Sequence, residues 1–297
     1  MRLEGLCSLS SLMAFIPYRH TVSSLIHMHH PSSELENGWF SVEILDETTF
    51  GIGEYGQWMK VHSYLFLGEK KAVLIDTGLG VGNIRTIVES ITDLPVHVIT
   101  THAHWDHTGG NHLFESYSAH ELEKDWIEQS GDRDRKEIAD WLIKDPFTKE
   151  PPPEFDRDQF RPFNGKVELL HKDGDVFDLG GRHLEIIHTP GHSIGHVSVY
   201  EEASGYLCTA DLLYQGVLLA GLTYSNPNDY HNSLKRLKVL PNIKKLLPGH
   251  GRQDIDNELL DEAIEGFDDL ENKGLLKLGS GLHKYKRLKI SLGTSSR

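Results

Sequence analysis

Short apolar runs recur along the first part of the chain, at 39–45, 61–67, 72–75 and 96–100. They are too brief for core helices and are rich in β-branched and aromatic side chains, which predicts strands. The run Val73-Leu74-Ile75 ends in Asp76-Thr77-Gly78, after which Ile84, Ile87, Val88 and Ile91 repeat at helical spacing. Strand, turn, helix and strand therefore follow one another up to residue 100.

The pattern changes over 117–165, a polar stretch that predicts two helices and a cover over whatever site the strands build. Ser118 and Glu121 are spaced as a capping box for the first helix, and Ile138, Trp141 and Leu142 share a face of the second. Pro151, Pro152 and Pro153 stop any further helix, with Phe147, Phe155, Phe160 and Phe163 around them. Strands return over 167–210, with Asp173-Gly174 and Gly180-Gly181 as turns, so a second sheet is implied. A helix over 233–239, a strand over 243–247, an acidic helix over 256–270 and a hairpin over 275–292, turning at Gly279-Ser280-Gly281, complete the pattern.

At 297 residues the chain is long enough for one large domain, taken as 38–293, behind a His-rich leader over 1–37. A formal charge of -14 argues against gripping a nucleic-acid backbone, which needs clustered Lys and Arg, and favours a small-molecule substrate. Cys7 and Cys208 make no disulfide framework, and Cys208 lies in a strand-like run where a buried free thiol is common. No apolar run approaches the roughly 18 residues that span a bilayer. Residues 1–16 resemble a signal peptide only faintly, because Glu4 and several serines interrupt the apolar stretch and no cleavage pattern follows. A cytoplasmic protein is expected, with Met13 as an alternative start to Met1.

Candidate chemistry begins after the strand at 96–100. His102, His104, Asp106 and His107 stand within six residues, and imidazole nitrogens and carboxylate oxygens are the usual ligands of zinc and similar metals. This spacing in a loop lets neighbouring side chains splay toward two points, and Gly109 and Gly110 permit the tight backbone that follows. Most of the 19 histidines cannot be ligands. His188 and His196 read as strand histidines with a hydrogen-bond partner, His27, His29 and His30 as part of a solvated leader, and Lys284, Lys286, Arg287 and Lys289 as the wet face of a strand. Asp76 is expected to stand behind the ligands and orient them.

The run 101–111 resembles the HxHxDH signature of the metallo-β-lactamase superfamily. Further pieces follow in that family's order: Asp76-Thr77-Gly78 early, then Thr189-Pro190-Gly191-His192-Ser193, Thr209-Ala210-Asp211 and Pro248-Gly249-His250-Gly251. The resemblance implies an αβ/βα sandwich, two mixed β-sheets with helices on both outer faces. It implies that His102, His104 and His192 hold one metal ion, that Asp106, His107 and His250 hold a second, and that Asp211 bridges them. The ions would be zinc, with iron or manganese as alternatives.

The activity so implied is hydrolysis of an ester, lactone or acyl-thioester carbonyl by a metal-bridging hydroxide, since two metals lower the pKa of a shared water to near neutrality. Asp106 would orient the nucleophile and pass a proton to the leaving group. Tyr214, at the offset from Asp211 where similar lactonases carry a tyrosine, would stabilise the oxyanion. The bridging Asp211 departs from true β-lactamases, and the basic C-terminal pattern of glyoxalase II is missing. Two other readings stay open: a mononuclear iron persulfide dioxygenase of the same fold, and a phosphodiesterase or nuclease type, although no extra domain or basic exosite is visible.

Overall fold

The computed structural model describes residues 38–129, 132–144, 147–253 and 255–294. The leader over 1–37, with its alternative starts and its histidines, lies outside them. Strands β1 (Phe40–Asp46), β2 (Thr49–Glu54), β3 (Val61–Leu67), β4 (Ala72–Ile75), β5 (Val96–Ile99), β6 (Tyr117–His120) and β7 (Leu169–His171) form one seven-stranded sheet in chain order. Pairing is antiparallel from β1 to β4 and parallel from β4 to β7.

Parallel neighbours need a crossover. Helix α1 (Ile84–Ile91) supplies it between β4 and β5, with Asn83 accepting from the amides of Arg85 and Thr86 as its N-cap. Its buried face is Ile84, Ile87, Val88 and Ile91, the set the spacing predicts. Each such side chain contributes roughly 1.5–3 kcal/mol when fully buried.

Next come β8 (Val176–Asp178), β9 (His183–His188), β10 (Val197–Glu201), β11 (Tyr206–Ala210), β12 (Val217–Leu219), β13 (Lys245–Pro248), β14 (Ser280–Tyr285) and β15 (Leu288–Thr294). A five-stranded sheet runs β13-β11-β10-β9-β8, and a small third sheet runs β12-β15-β14. The remaining helices are α2 (Trp105–Thr108), α3 (Glu121–Gln129), α4 (Asp132–Ile143), α5 (Pro227–Lys238) and α6 (Glu258–Asn272).

Alternation along β3 and β4 builds the layers. Tyr64, Phe66, Val73 and Ile75 pack against Leu184, Ile186, Val199 and Leu247 of the second sheet, whereas Leu65 and Leu74 pack on the other face with the residues of α1. On the far side of the second sheet, α5 and α6 bury Tyr230, Leu234, Leu237, Leu259, Leu260 and Phe267 in a separate cluster that includes Leu207 and Leu246. The result is the sandwich with helices on both outer faces. Arg182 fastens the two sheets: it is paired to Glu201 at 2.6 Å and donates to Thr48 and Thr49 across the gap.

Four local expectations change. Ser118 lies on β6 and bonds His171, so it caps nothing, and α3 starts directly after that strand. The segment 117–165 therefore contributes a sheet strand as well as two helices. On α4, Leu142 is buried with Ala139, but Trp141 is 43% exposed and turns outward. The tail is a hairpin, but it turns between Tyr285 and Leu288, because Gly279 and Gly281 lie at the start of β14. Among the described residues, no helix is long and apolar enough to cross a membrane.

Candidate metal centre

The functional side chains stand where strands end. The loop after β5 and the four-residue α2 carry His102, His104, Asp106 and His107; the loop after β9 carries His192; the residue after β11 is Asp211; and His250 follows β13. Such crevices beyond strand ends are where open α/β sheets place their ligands. The backbone is forced there: Asp76 and Ala210 are non-glycine residues at φ 59° and 41°, a costly region concentrated at functional sites. At Gly249 a Cβ would stand 2.8 Å from Asp211 Oδ1 and 2.9 Å from the His107 ring, so only glycine lets the chain pass.

Two groups of donors result. His102, His104, His192 and Asp211 each offer a ligand atom within 4.8 Å of the others, and so do Asp106, His107 and His250. Asp211 faces both groups, with Oδ2 at 3.4 Å from His192 Nε2 and Oδ1 at 3.1 Å from both His107 Nε2 and His250 Nε2. His104 Nδ1 stands 2.9 Å from His102 Nε2 and 3.0 Å from His192 Nε2, and Asp106 Oδ2 stands 3.3 Å from His250 Nε2.

Hydrogen bonds behind the rings decide what these nitrogens present. Asp76 accepts from His107 Nδ1 at 2.7 Å and from the Thr101 hydroxyl at 2.8 Å. With its proton given to Asp76, the Thr101 oxygen accepts from His102 Nδ1 at 3.0 Å. His192 Nδ1 donates to the Leu219 carbonyl at 3.1 Å, and His250 Nδ1 to that of Met59 at 3.2 Å. The Nε2 of each of these four rings is thus the atom left to face the donor group. Lone pairs opposed at 3.1 Å repel unless positive charge lies between them, and His107 Nε2 and Asp211 Oδ1 are buried without a hydrogen-bond partner.

The electrostatics agree. Burial alone would lower His250 and His107, yet Asp211 and Asp106 together, joined by Asp76 at His107, outweigh it, raising His250 to about 10 and His107 well above its ordinary value. In the bare chain a proton takes the place that a divalent cation would fill. Burial pushes His102 well down and His104 down to about 3, which keeps both rings neutral as metal ligands must be. The donor set therefore fits two divalent cations, with Asp211 between them.

All seven predicted ligand positions come together here, and Asp76 stands behind them as expected. Tyr214 does not turn its hydroxyl to the donors: it donates to the Val217 carbonyl, while its ring packs 5.4 Å from that of His250. His188 bonds the Ile194 carbonyl and His196 bonds Thr189, and neither joins a donor group.

Sequence reading missed three residues. Tyr224, in the loop after β12, places its hydroxyl 2.7 Å from His104 Nε2, and Trp126 of α3 packs 4.4 Å from its ring. Glu123, also on α3, is fully buried and accepts from the amides of Ala103 and Gly195 and from the Ser193 hydroxyl. It ties the loops that carry His102 and His192 to one helix. Nothing in the sequence of this polar helix marks Glu123; its inward position is seen only in the fold.

The family model of the metallo-β-lactamase superfamily matches residues 56–250. Acyl-coenzyme A thioesterase MBLAC2 of Homo sapiens is 31% identical over 229 residues, 71% of this chain and 81% of that protein. Hydroxyacylglutathione hydrolase of Pelagibacter ubique is 28% identical over 250 residues, 78% of this chain and 87% of the relative. A metallo-beta-lactamase from Pontibacter korlensis shares the fold at TM-score 0.57 and 19% identity, over 77% of this chain and 99% of its own. The strand-end donors, their order along the chain and these likenesses agree, and the protein is a hydrolase belonging to the metallo-β-lactamase superfamily.

Proposed function

We propose that the chain hydrolyses acyl thioesters, with coenzyme A as the carrier of the acyl group. The observation that carries hydrolysis is the convergence of locked Nε2 lone pairs on a shared, buried Asp211. The thioester class is supported by two separate relatives, named as an acyl-coenzyme A thioesterase and a hydroxyacylglutathione hydrolase, whose acyl groups are both borne on a thiol.

His102, His104 and His192 would hold one divalent ion and Asp106, His107 and His250 the other, with Asp211 shared. Zinc suits this mixture of imidazole and carboxylate. When bound, the pair supplies a nucleophilic water at neutral pH and polarises the carbonyl it faces. The chain's own groups do the rest. Burial would raise the Asp106 carboxyl, but His107 and His250 hold it below its ordinary value, so it enters as an anion able to accept a proton. With His104 Nδ1 turned to the donors, its Nε2 proton goes to the Tyr224 oxygen, which leaves the phenol hydrogen for the substrate. Burial, reinforced by Asp106 and Asp211, pushes Tyr224 up and keeps it protonated. The Tyr214 proton is already committed to Val217.

The test is a hydrolysis screen of the zinc-loaded protein with acyl-coenzyme A, acyl-glutathione, lactone and phosphodiester substrates. Release of free coenzyme A at a kcat/KM at least ten-fold above the other classes is expected. A preference for lactone or phosphodiester would overturn the reading.

A further inference from the structure

Three tryptophans leave a large aromatic surface open beside the second donor group. Trp58 is 48% exposed and Trp141 43%, and Trp105 is half-buried. The Trp141 ring meets both others edge-on, at 5.7 Å from Trp58 and 5.8 Å from Trp105. They come from three separate elements, the loop between β2 and β3, α2 and α4. Trp105, Ile138, Trp141 and Glu137 line a cavity of about 290 Å³. That is close to the lower limit of whole-ligand pockets, roughly 300 Å³, so it suits one arm of a substrate. Contiguous aromatic surface left in water marks a place where something apolar binds.

Its position ties it to the reaction. Trp105 is followed directly by Asp106 and His107 on α2. Trp58 precedes Met59, whose carbonyl accepts from His250 Nδ1 at 3.2 Å, and Lys60 next to it accepts from the Gly251 amide. Two of the three rings are thus anchored to the residues of one donor group. A larger cavity of about 580 Å³, lined by Arg85, Glu89, Asp93 and Phe114, sits beside α1 and the start of β5; no donor lines either cavity, but only the smaller one is walled by a residue, Trp105, that continues directly into two of them.

We propose that Trp58, Trp105 and Trp141 receive the hydrocarbon part of the acyl group, which makes long apolar acyl thioesters the substrates of this site. The inference rests on the thioesterase reading above. Each methylene moved from water into apolar contact strengthens binding about four-fold, so selectivity grows with chain length.

The experiment compares wild type with Trp141→Ala, a half-exposed position that touches no donor residue, using acetyl- and dodecanoyl-coenzyme A. The expected result is a kcat/KM for the dodecanoyl thioester that falls roughly 10- to 100-fold, with the acetyl thioester changed less than about two-fold. Equal losses on both, or none on either, would overturn the proposal and leave the thioesterase reading standing. A second arm needs no turnover: equilibrium dialysis of radiolabelled dodecanoate against the zinc-loaded protein. Saturable binding that Trp141→Ala weakens at least ten-fold supports the subsite even if no thioester is cleaved, in which case only the thioesterase reading falls. Dodecanoate that fails to bind wild type, or binds both proteins alike, counts against the subsite.

Discussion

His231, Asp268 and Glu271, between α5 and α6, offer the same donor types at the same spacing as the groups around Asp211. There the carboxylates are 42% and 59% exposed, and Lys235 Nζ stands 3.0 Å from Asp268. The lysine already supplies the positive charge, and water screens the rest. Around Asp211 the carboxylates are buried, and among the described residues every ion-pair partner of Asp106 and Asp211 is a histidine. Their lone pairs are aimed by groups behind them and meet no built-in cation. What separates a metal site from a surface ion pair is therefore not the donors but the missing countercharge and the locked tautomers.

The strongest way to break this contrast is Asp211→Ala. Wild type should carry about two zinc ions per chain by elemental analysis, and the variant should lose most of both, with kcat/KM down more than ~100-fold, beyond the loss typical of an outer partner. A fully loaded, active variant would erase the distinction drawn above. Asp76→Asn comes next, since Asp76 is not itself one of the donors but is the charged acceptor that fixes His107 and, through Thr101, His102. Zinc affinity measured by chelator competition should fall about 10- to 100-fold. Unchanged affinity would show that the tautomers need no lock.

Within the site, the two tyrosines sharpen the argument about committed protons. Tyr224→Phe should lower kcat roughly 10- to 100-fold at unchanged zinc content, somewhat below the loss of a full oxyanion donor. Tyr214→Phe should leave kcat within about three-fold while removing one hydrogen bond worth about 1 kcal/mol, read as a melting temperature lower by roughly 2–4 °C. The reverse pattern would return the catalytic phenol to Tyr214. The smallest effect belongs to His231→Gln, which should leave zinc content and activity alone and cost at most about 1 kcal/mol, because water screens its carboxylate partners. Loss of zinc in that variant would make the surface group a site after all.

Much of this was legible in the residues alone. Ile84, Ile87, Val88 and Ile91 placed α1 because one helix face buries all of them, and the clustered ligand types marked the loop after β5 because few other purposes bring so many imidazoles and carboxylates together. The offset of Tyr214 from Asp211 fixes where the ring starts but not which carbonyl its hydroxyl meets. Tyr224 and Glu123 reach the site through contacts distant in sequence, to His104 and to Ser193, and one chain carries no signal for such pairings. The tail hairpin turned elsewhere because its register is set by the pairing of β14 and β15 and by β12 beside them, not by its glycines.

The order of the donors along the chain has a consequence for biosynthesis. His102 leaves the ribosome first and His250 last of the donors, separated by about half the chain. At roughly 5–20 residues per second, the interval is on the order of ten seconds. Through that time the first histidines are exposed to any ion in their surroundings without the carboxylate and imidazole that complete either group. The last donor follows β13, an edge strand that must pair parallel to β11 before His250 can point inward. The group of Asp106, His107 and His250 is therefore complete only once this strand has docked, whereas His102, His104, His192 and Asp211 can meet earlier.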